Sequence, residues 1–172
     1  NIVKDGAVEF GFMGSEVNTL HEGMARLSGG VEQETAILNA MRAGVVGTIN
    51  DVDLMTQANK LMATGALKNA ADFGTLTEAS RVLSREGFGS IAEVMGTVSN
   101  AMETGRGRRL ALMGVTVDMK GSEETYAKTL GLTSAELSTS QKIHADRMAI
   151  MTALNTIVSQ SGVQELNLKE RI

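Results

Sequence analysis

Histidine and cysteine are the side chains that most often bind transition metals or act as bases and nucleophiles, and this chain has few of them. It contains two histidines, His21 and His144, which lie far apart in the sequence, and no cysteine. Neither histidine belongs to an H-E-x-x-H pattern, so a metal site would need carboxylates from other parts of the chain. The lack of cysteine excludes disulfides, thiolate metal sites, cysteine nucleophiles and iron–sulfur clusters. We interpret both histidines as surface residues.

A glycine-rich segment is the closest match to a nucleotide-binding motif. Residues 87–92 read GFGSIA, which fits the pattern G-x-G-x-x-A at the start of a predicted helix. The dinucleotide fingerprint requires a β-strand immediately before the first glycine, whereas the preceding residues, 81–86, favour a helix. We therefore predict a corner between two helices here. The sequence also lacks a G-x-x-x-x-G-K-[ST] phosphate loop.

Two carboxylate pairs, Asp51 with Asp53 and Glu123 with Glu124, are the remaining candidates for acid–base chemistry. Asp51 and Glu123 fall in the first turns of predicted helices, where a negative charge interacts favourably with the helix dipole. That placement explains them without catalysis. The G-x-S-x-G nucleophile elbow is absent as well. We therefore assign no catalytic, cofactor-binding or metal-ligating residue, and we expect no enzymatic activity and no cofactor.

One basic cluster is found in an otherwise mildly acidic chain, and it consists of Arg106, Arg108 and Arg109. Arginine binds phosphate through a fork of N–H groups, so the cluster is a candidate phosphate contact, which Arg81 and Arg85 would enlarge. The alternative, which we favour, is a solvated helix start or a set of salt bridges. The acidic candidates for such bridges are Glu78, Glu86 and Glu103. The sequence does not assign the cluster a function.

The elements that must position these residues are helices. Apolar residues recur at i, i+3, i+4 or i+7, which places them on one face of a helix. The best strand candidate, Val115 to Val117, is too short to found a sheet. Glycines separate the apolar stripes and allow helices to end in the left-handed conformation. We predict an all-α fold, a compact multi-helix bundle of short helices with glycine-rich corners and one longer C-terminal helix. The predicted helices cover residues 15–27, 32–46, 51–64, 76–86, 91–104, 107–113, 122–130 and 135–160, with a last one opening near 163.

Local patterns add detail to the predicted helix ends. Three residue pairs resemble the capping box, in which two residues satisfy each other's free backbone N–H groups. These pairs are Thr75/Glu78, Ser90/Glu93 and Ser138/Gln141.

Two side-chain rows suggest how the helices pack. Small residues at 36, 40 and 44 allow a neighbouring backbone to come close. The longest helix has a row with the alternating four- and three-residue spacing of a coiled-coil seam, but it sustains too few heptads for a confident assignment. We favour packing in an ordinary bundle and keep the coiled coil as the alternative. The row consists of Ile143, Arg147, Ile150, Leu154 and Ile157.

Composition and charge argue against several classes of function. Sixteen basic against twenty acidic residues give a net charge of −4, and aromatic residues make up 3% of the chain. Nucleic-acid binders usually carry a basic excess and aromatic stacking platforms, so we expect no specific nucleic-acid partner. No apolar run reaches the ~18 residues of a membrane-spanning helix, and residues 1–10 lack the features of a signal peptide. The chain begins without Met and ends in a helical pattern, so we expect a piece of a longer protein.

A more specific pattern runs from residue 100 to residue 155. It reads NAMETGRGRRLALMGVTVD at 100–118, TYAKTLGLTSAELSTSQK at 125–142 and MTALN at 151–155. These segments resemble the tail tape measure proteins of long-tailed bacteriophages and prophages. In that family a helix ends in a G-x-x-R-x-L step, a turn with a following Asp comes next, and a Tyr-Ala-x-x-Leu-Gly segment precedes a Glu-Leu-Ser/Thr pattern that opens a long helix. The likeness covers residues 35–158 and departs from the family in the high glycine content.

The resemblance implies a structural role in a virion tail. The parent would be a longer protein whose length sets tail length while the tube polymerises around it, and which leaves with the DNA at genome ejection. Residues 1–172 would form one helical module, in which 1–34 and 159–172 flank the tape-measure-like region. The implied partners are tube, tip or baseplate proteins, or further copies of the chain, and the implied locations are the tail interior and, during assembly, the host cytoplasm.

Glycine spacing and two rival functions complete these expectations. As one helix the chain would span ~260 Å, but its frequent glycines favour a compact module outside the extended ruler. One alternative is a membrane-active module that aids genome passage through the host envelope. The other is a module associated with a cell-wall hydrolase.

Overall fold

The computed structural model of the chain consists of helices joined by short corners. It describes the backbone of residues 2–170 and the side chains of residues 14–162. Over that backbone range eight α-helices and no strand are present, so the all-α prediction is confirmed. The helices are α1 (Ile2–Ser28), α2 (Val31–Val45), α3 (Asp51–Ala63), α4 (Ala70–Arg85), α5 (Ile91–Thr104), α6 (Arg108–Ala111), α7 (Met119–Thr129) and α8 (Thr139–Glu170).

Helix α4 lies at the centre of the bundle, where it contacts α2, α5 and α8. Two of its polar residues, Thr77 and Ser80, are fully buried. Each donates its hydroxyl hydrogen to the carbonyl one turn earlier, at 3.0 Å to Phe73 and 2.7 Å to Leu76. The buried hydroxyls thereby form their hydrogen bonds within α4, so they need no polar partner among the apolar side chains packed around this helix.

Small residues allow α2 and α4 to approach closely. Gly44 of α2 lies so near α4 that a Cβ atom on it would come within 2.7 Å of Thr77 Cβ. One turn away, Gly74 of α4 faces Ala40 of α2, and a Cβ atom on Gly74 would meet Ala40 Cβ at an ordinary 3.5 Å. The predicted close approach is therefore confirmed at Ala40 and Gly44, whereas Ala36 is exposed to solvent.

Helix α8 packs against α4 and α5 through the predicted seam. Ile150 and Leu154 are fully buried in the core. Arg147 donates from Nε to the Met102 carbonyl at 2.8 Å and from Nη2 to the Glu103 carbonyl at 2.7 Å. Both carbonyls belong to the last turn of α5, where carbonyls lack partners within the helix. The seam therefore packs inside this bundle, as the favoured interpretation expected.

The predicted start of α4 is wrong by two turns. The helix begins at Ala70 because Asn69 caps it, and the Asn69 side-chain oxygen accepts from the Asp72 amide at 2.9 Å. Thr75, predicted as a cap, lies inside the helix, and its hydroxyl donates to Asn155 Oδ1 of α8 at 3.1 Å. The Thr75/Glu78 pair is therefore no capping box.

Other helix ends also differ from the prediction. Helix α1 begins at Ile2 rather than near 15, and α6 covers only Arg108–Ala111. Helix α7 begins at Met119 rather than 122, because Asp118 accepts from the Gly121 amide at 2.9 Å.

The C-terminal helix is one element where two were predicted. Helix α8 begins at Thr139, and a separate 3₁₀ turn occupies Ser134–Glu136. Helix α8 then continues through Gly162 without the predicted break. Gly162 is exposed, and an interior glycine destabilises a helix by only ~1 kcal/mol, which is too little to end so long an element.

Two of the predicted capping boxes are confirmed. At the start of α5, Glu93 Oε2 accepts from the Ser90 amide at 2.9 Å, and Ser90 Oγ accepts from the Glu93 amide at 3.3 Å. The Ser90 amide and hydroxyl hold the pKa of Glu93 below its ordinary value. Ser138 and Gln141 make the same reciprocal pair before α8, at 2.8 Å and 3.3 Å.

The remaining core is rich in methionine, and the irregular segments are short. The predicted strand candidate, residues 115–117, lies in the coil between α6 and α7. Within the described residues, none of the helices is long and apolar enough to cross a bilayer.

Methionine contributes several side chains to the core. Among the described side chains, the buried methionines are Met24, Met41, Met55, Met62, Met95 and Met102.

Candidate interaction surface

The two histidines are exposed, as predicted, and they have different neighbours. His21 Nδ1 in α1 forms a hydrogen bond with Glu34 Oε1, a carboxylate buried near the start of α2. The sequence does not single out Glu34, because an acidic residue in a first turn is ordinarily exposed. The His144 ring lies 5.1 Å from the Tyr126 ring. Among the described side chains, no cluster of His, Asp and Glu is suited to hold a metal ion.

The first predicted carboxylate pair fixes the corner between α2 and α3. Asp51 lies in the first turn of α3, as predicted, and accepts a forked contact from Arg42, at 2.8 Å from Nε and 2.6 Å from Nη2. This contact lowers the pKa of Asp51 below its ordinary value. Asp53 accepts from the Asn50 side-chain amide at 2.8 Å. Both carboxylates are therefore engaged in holding a helix corner.

The second carboxylate pair is placed differently from the prediction. Glu123 lies in the second turn of α7 rather than the first, because α7 begins at Met119. Its charge acts on Asp146 of α8. Burial, with a smaller contribution from Glu123, raises the pKa of Asp146, while Lys142 lowers it. Asp146 Oδ1 is buried and has no hydrogen-bond partner, so ionised Asp146 destabilises the contact between α7 and α8.

The glycine-rich segment at 87–92 is a corner between helices, as predicted. Helix α4 precedes it, so the strand that a dinucleotide fingerprint needs is absent at this position. Gly87 has a φ of 96° and Gly89 a φ of 127°. Residues that carry a Cβ atom rarely adopt such backbone conformations. The Ser84 hydroxyl donates to the Gly89 carbonyl at 2.7 Å. These contacts turn the chain from α4 into α5.

The arginine cluster has no intramolecular partner in the described part of the chain. Arg106, Arg108 and Arg109 are exposed, and their guanidinium groups make no hydrogen bond or ion pair to a described residue. The candidate salt bridges are therefore not formed there, and the cluster lies in solvent around the start of α6, as the other part of the favoured interpretation predicts. We call these three residues the arginine rim.

Two of the three acidic candidates, Glu103 and Glu78, pair with other residues. The Glu103 carboxylate pairs with Lys60 at 2.8 Å, and Glu78 pairs with Arg81 at 3.6 Å. Arg81 itself is mostly buried, with 17% of its side chain exposed, so it does not enlarge the rim. The Met102 and Glu103 carbonyls at the end of α5 accept hydrogen bonds from Arg147.

A hollow of about 390 Å³ lies beside the rim. Arg106 and Arg108 line its edge, and apolar side chains line the rest. The next residue along the chain from this lining, Leu112, is 81% exposed. We call this site the basic hollow. Its apolar lining consists of Ala111, Val115, Val117 and Met119.

Two glycines hold the backbone of the basic hollow in place. Gly105 ends α5 with a φ of 67°, and a Cβ atom on it would press on the Ile143 backbone at 3.3 Å. A Cβ atom on Gly107 would come 2.7 Å from Met119 Cε. A Cβ atom on Gly105 would be tight against the Ile143 backbone, whereas one on Gly107 would meet the movable end of the Met119 side chain. Both glycines are buried, so the rim is carried on a closely packed turn.

A larger groove of about 660 Å³ runs between α7, α8 and the segment 114–118. It is lined mainly by threonine and small apolar residues, with Met148 of α8 49% exposed along it. The groove and the basic hollow share Val115. The two concavities therefore lie on adjoining parts of the surface, where Met148 and the partly exposed Val117 and Met119 are accessible to a partner.

Comparison with protein-family models, with curated proteins and with solved structures finds no match to this chain.

Proposed function

We propose that the chain is a structural, non-catalytic helical module of a phage tail tape measure protein, and that it takes part in tail assembly and length determination through protein–protein packing. The observation that carries this proposal is the resemblance over residues 100–142. The module would lie inside the virion tail, and in the host cytoplasm during assembly, against tube, tip or baseplate proteins or another copy of itself.

The positions of the resembling residues in the fold support a structural role. Gly105 closes α5 in the left-handed conformation, and Asp118 caps α7. Leu110 is fully buried, and Leu137 is nearly so. The pattern thus consists of helix ends, corners and core contacts, which is what a packing module needs and a catalytic site does not.

The corners also support a folded module rather than a stretch of extended ruler. Glycines with positive φ end or follow α5, α6 and α7, at Gly105, Gly114 and Gly131. These glycines allow the chain to turn between helices, and α8 lies against α4 and α5. A chain that doubles back in this way covers much less length than the ~260 Å of a continuous helix of the same residues.

The proposal is tested in the phage or prophage whose genome encodes the chain. We expect peptides of this chain in purified tails by mass spectrometry. We also expect in-frame deletion of its codons to reduce the yield of infectious tailed particles, because tail proteins would lose a packing partner. Absence of the chain from purified tails, or normal tails and normal infectivity after deletion, would exclude this function.

A further inference from the structure

We propose that the basic hollow binds an acidic peptide segment of a partner protein, whose carboxylates pair with the arginine rim and whose apolar side chain enters the hollow. The chemistry of this site does not depend on the assignment to a phage tail.

The arginine rim carries positive charge that the described part of the chain does not neutralise. Arg106, Arg108 and Arg109 lie within four residues, and no described carboxylate or free helix carbonyl neutralises them. Like charges held this close repel one another, and an external anion relieves that repulsion. The rest of the molecule is acidic, with a net charge of −4 for the whole chain, so this cluster is a local reversal of the surface potential. It will steer an acidic partner to this site.

The apolar lining of the basic hollow distinguishes a peptide from a nucleic acid. Phosphate backbones bind arginine but leave the partly exposed Val117 and Met119 against a charged strand, where their burial contributes little. Single-stranded nucleic acids also stack on aromatic rings, and residues 100–120 contain none. A peptide with carboxylates around an apolar side chain matches both parts of the site.

The backbone of the turn that carries the arginine rim is ordered before a partner binds. The rim emerges from a turn in which Gly105 and Gly107 are buried and pack against Ile143 of α8 and against Met119. A site whose backbone is already ordered loses little conformational entropy on binding. Guanidinium groups on such a turn can bind carboxylates in a fork, with two parallel hydrogen bonds.

The test uses the full chain and a displayed library of short random peptides. We expect the selected peptides to be enriched in Asp and Glu around a central apolar residue, and their binding to weaken as salt is added. In the triple variant Arg106→Glu, Arg108→Glu and Arg109→Glu, we expect affinity for these peptides to fall roughly tenfold or more. Replacing the same residues by lysine should give a smaller loss, since lysine keeps the charge but not the fork.

A matched control changes the same charge elsewhere. Arg26, Lys68 and Lys128 are also exposed, and the variant with all three changed to Glu should bind the selected peptides like the unaltered chain. Thermal unfolding followed by circular dichroism checks that both triple variants fold.

Several results would overturn the proposal. They are a selection without acidic enrichment, undiminished binding by the rim variant, or equal losses in the rim variant and its control. Tighter binding of a DNA oligonucleotide, or of phosphatidylserine vesicles, than of any selected peptide would also overturn it, since the partner would then be a nucleic acid or a membrane. A failed selection would leave the tail proteomics unaffected, so the two proposals can fail separately.

Discussion

At the scale of single residues, the fold depends on a few positions where one added atom or one removed charge changes the stability of the packing. Gly44 is the tightest described contact between α2 and α4. A Cβ atom there would come 2.7 Å from Thr77 Cβ and 2.9 Å from the Glu78 amide nitrogen. Backbone atoms of a central helix cannot move aside as the end of a side chain can.

We therefore expect Gly44→Ala to lower the free energy of unfolding by about 1–3 kcal/mol, as overpacking does in other cores. The matched control is Gly74→Ala on the facing helix, where the new methyl group would meet Ala40 at 3.5 Å. Because alanine favours helix over glycine, this control should be neutral or stabilising by up to about 1 kcal/mol. Urea unfolding measures both variants, and equal effects would contradict the close contact at Gly44.

Asp146 gives the stability of the protein a pH dependence of known sign. Burial and the charge of Glu123 raise its pKa in the folded state. A carboxyl whose pKa is raised by folding favours the folded state at low pH, and this contribution is lost as the pH rises from about 4 through the raised pKa. Asp146→Asn should therefore stabilise the protein at pH 7 and have a smaller effect near pH 4.

Thermal unfolding across this pH range measures the effect of Asp146→Asn. Glu123→Gln should act in the same direction but more weakly, since burial is the larger cause of the shift in the pKa of Asp146. A variant Asp146→Asn that is less stable than the parent at pH 7 would show that the ionised carboxylate has a stabilising partner.

At the scale of elements, one side chain joins α8 to the end of α5 by hydrogen bonds, beside the apolar packing between the two helices. Arg147 donates two hydrogen bonds to the end of α5, and hydrogen bonds that involve a charged group contribute ~1.5–3 kcal/mol. We expect Arg147→Met to lower the free energy of unfolding by about that amount, while Arg108→Met, on an exposed arginine without a described partner, should change it by less than about 0.5 kcal/mol. Chemical denaturation of the two variants tests this, and similar losses would show that the α5 contact does not anchor α8.

How much of these elements the sequence predicts depends on how local their causes are. The Ser90/Glu93 box and the Gly87–Gly89 corner are correct because each needs only neighbouring residues. The start of α4 is missed because Asn69 supplies the cap two turns before Thr75, and both residues are acceptable caps in isolation.

Residues that act across the bundle could be noticed in the sequence but not explained there. Arg147 stands out as a charged residue in an apolar row, yet its carbonyl partners lie more than forty residues earlier. Likewise, the arginine rim is visible as a cluster, but its lack of partners follows from Lys60 pairing with Glu103. Neither the pairing nor the basic hollow can be derived without the packing of α3, α5 and α8.

At the scale of the whole molecule, the helices pack around α4 as one folded module, which we propose packs against other proteins. Its helices double back around α4, so its length along any axis is short compared with the chain's contour. If the chain belongs to a tape measure protein, extra copies of this module should add bulk and not ruler length.

The most direct measurement is tail length in a phage whose parent gene carries a tandem duplication of the codons for residues 1–172. The original copy remains, so assembly is retained, and an equally long duplication in an extended helical region of the parent is the control. We predict that tails imaged by electron microscopy keep their length with the duplicated module and lengthen by ~260 Å with the control. Tails that lengthen by ~260 Å with the duplicated module would contradict the account, because the chain would then be part of the ruler itself.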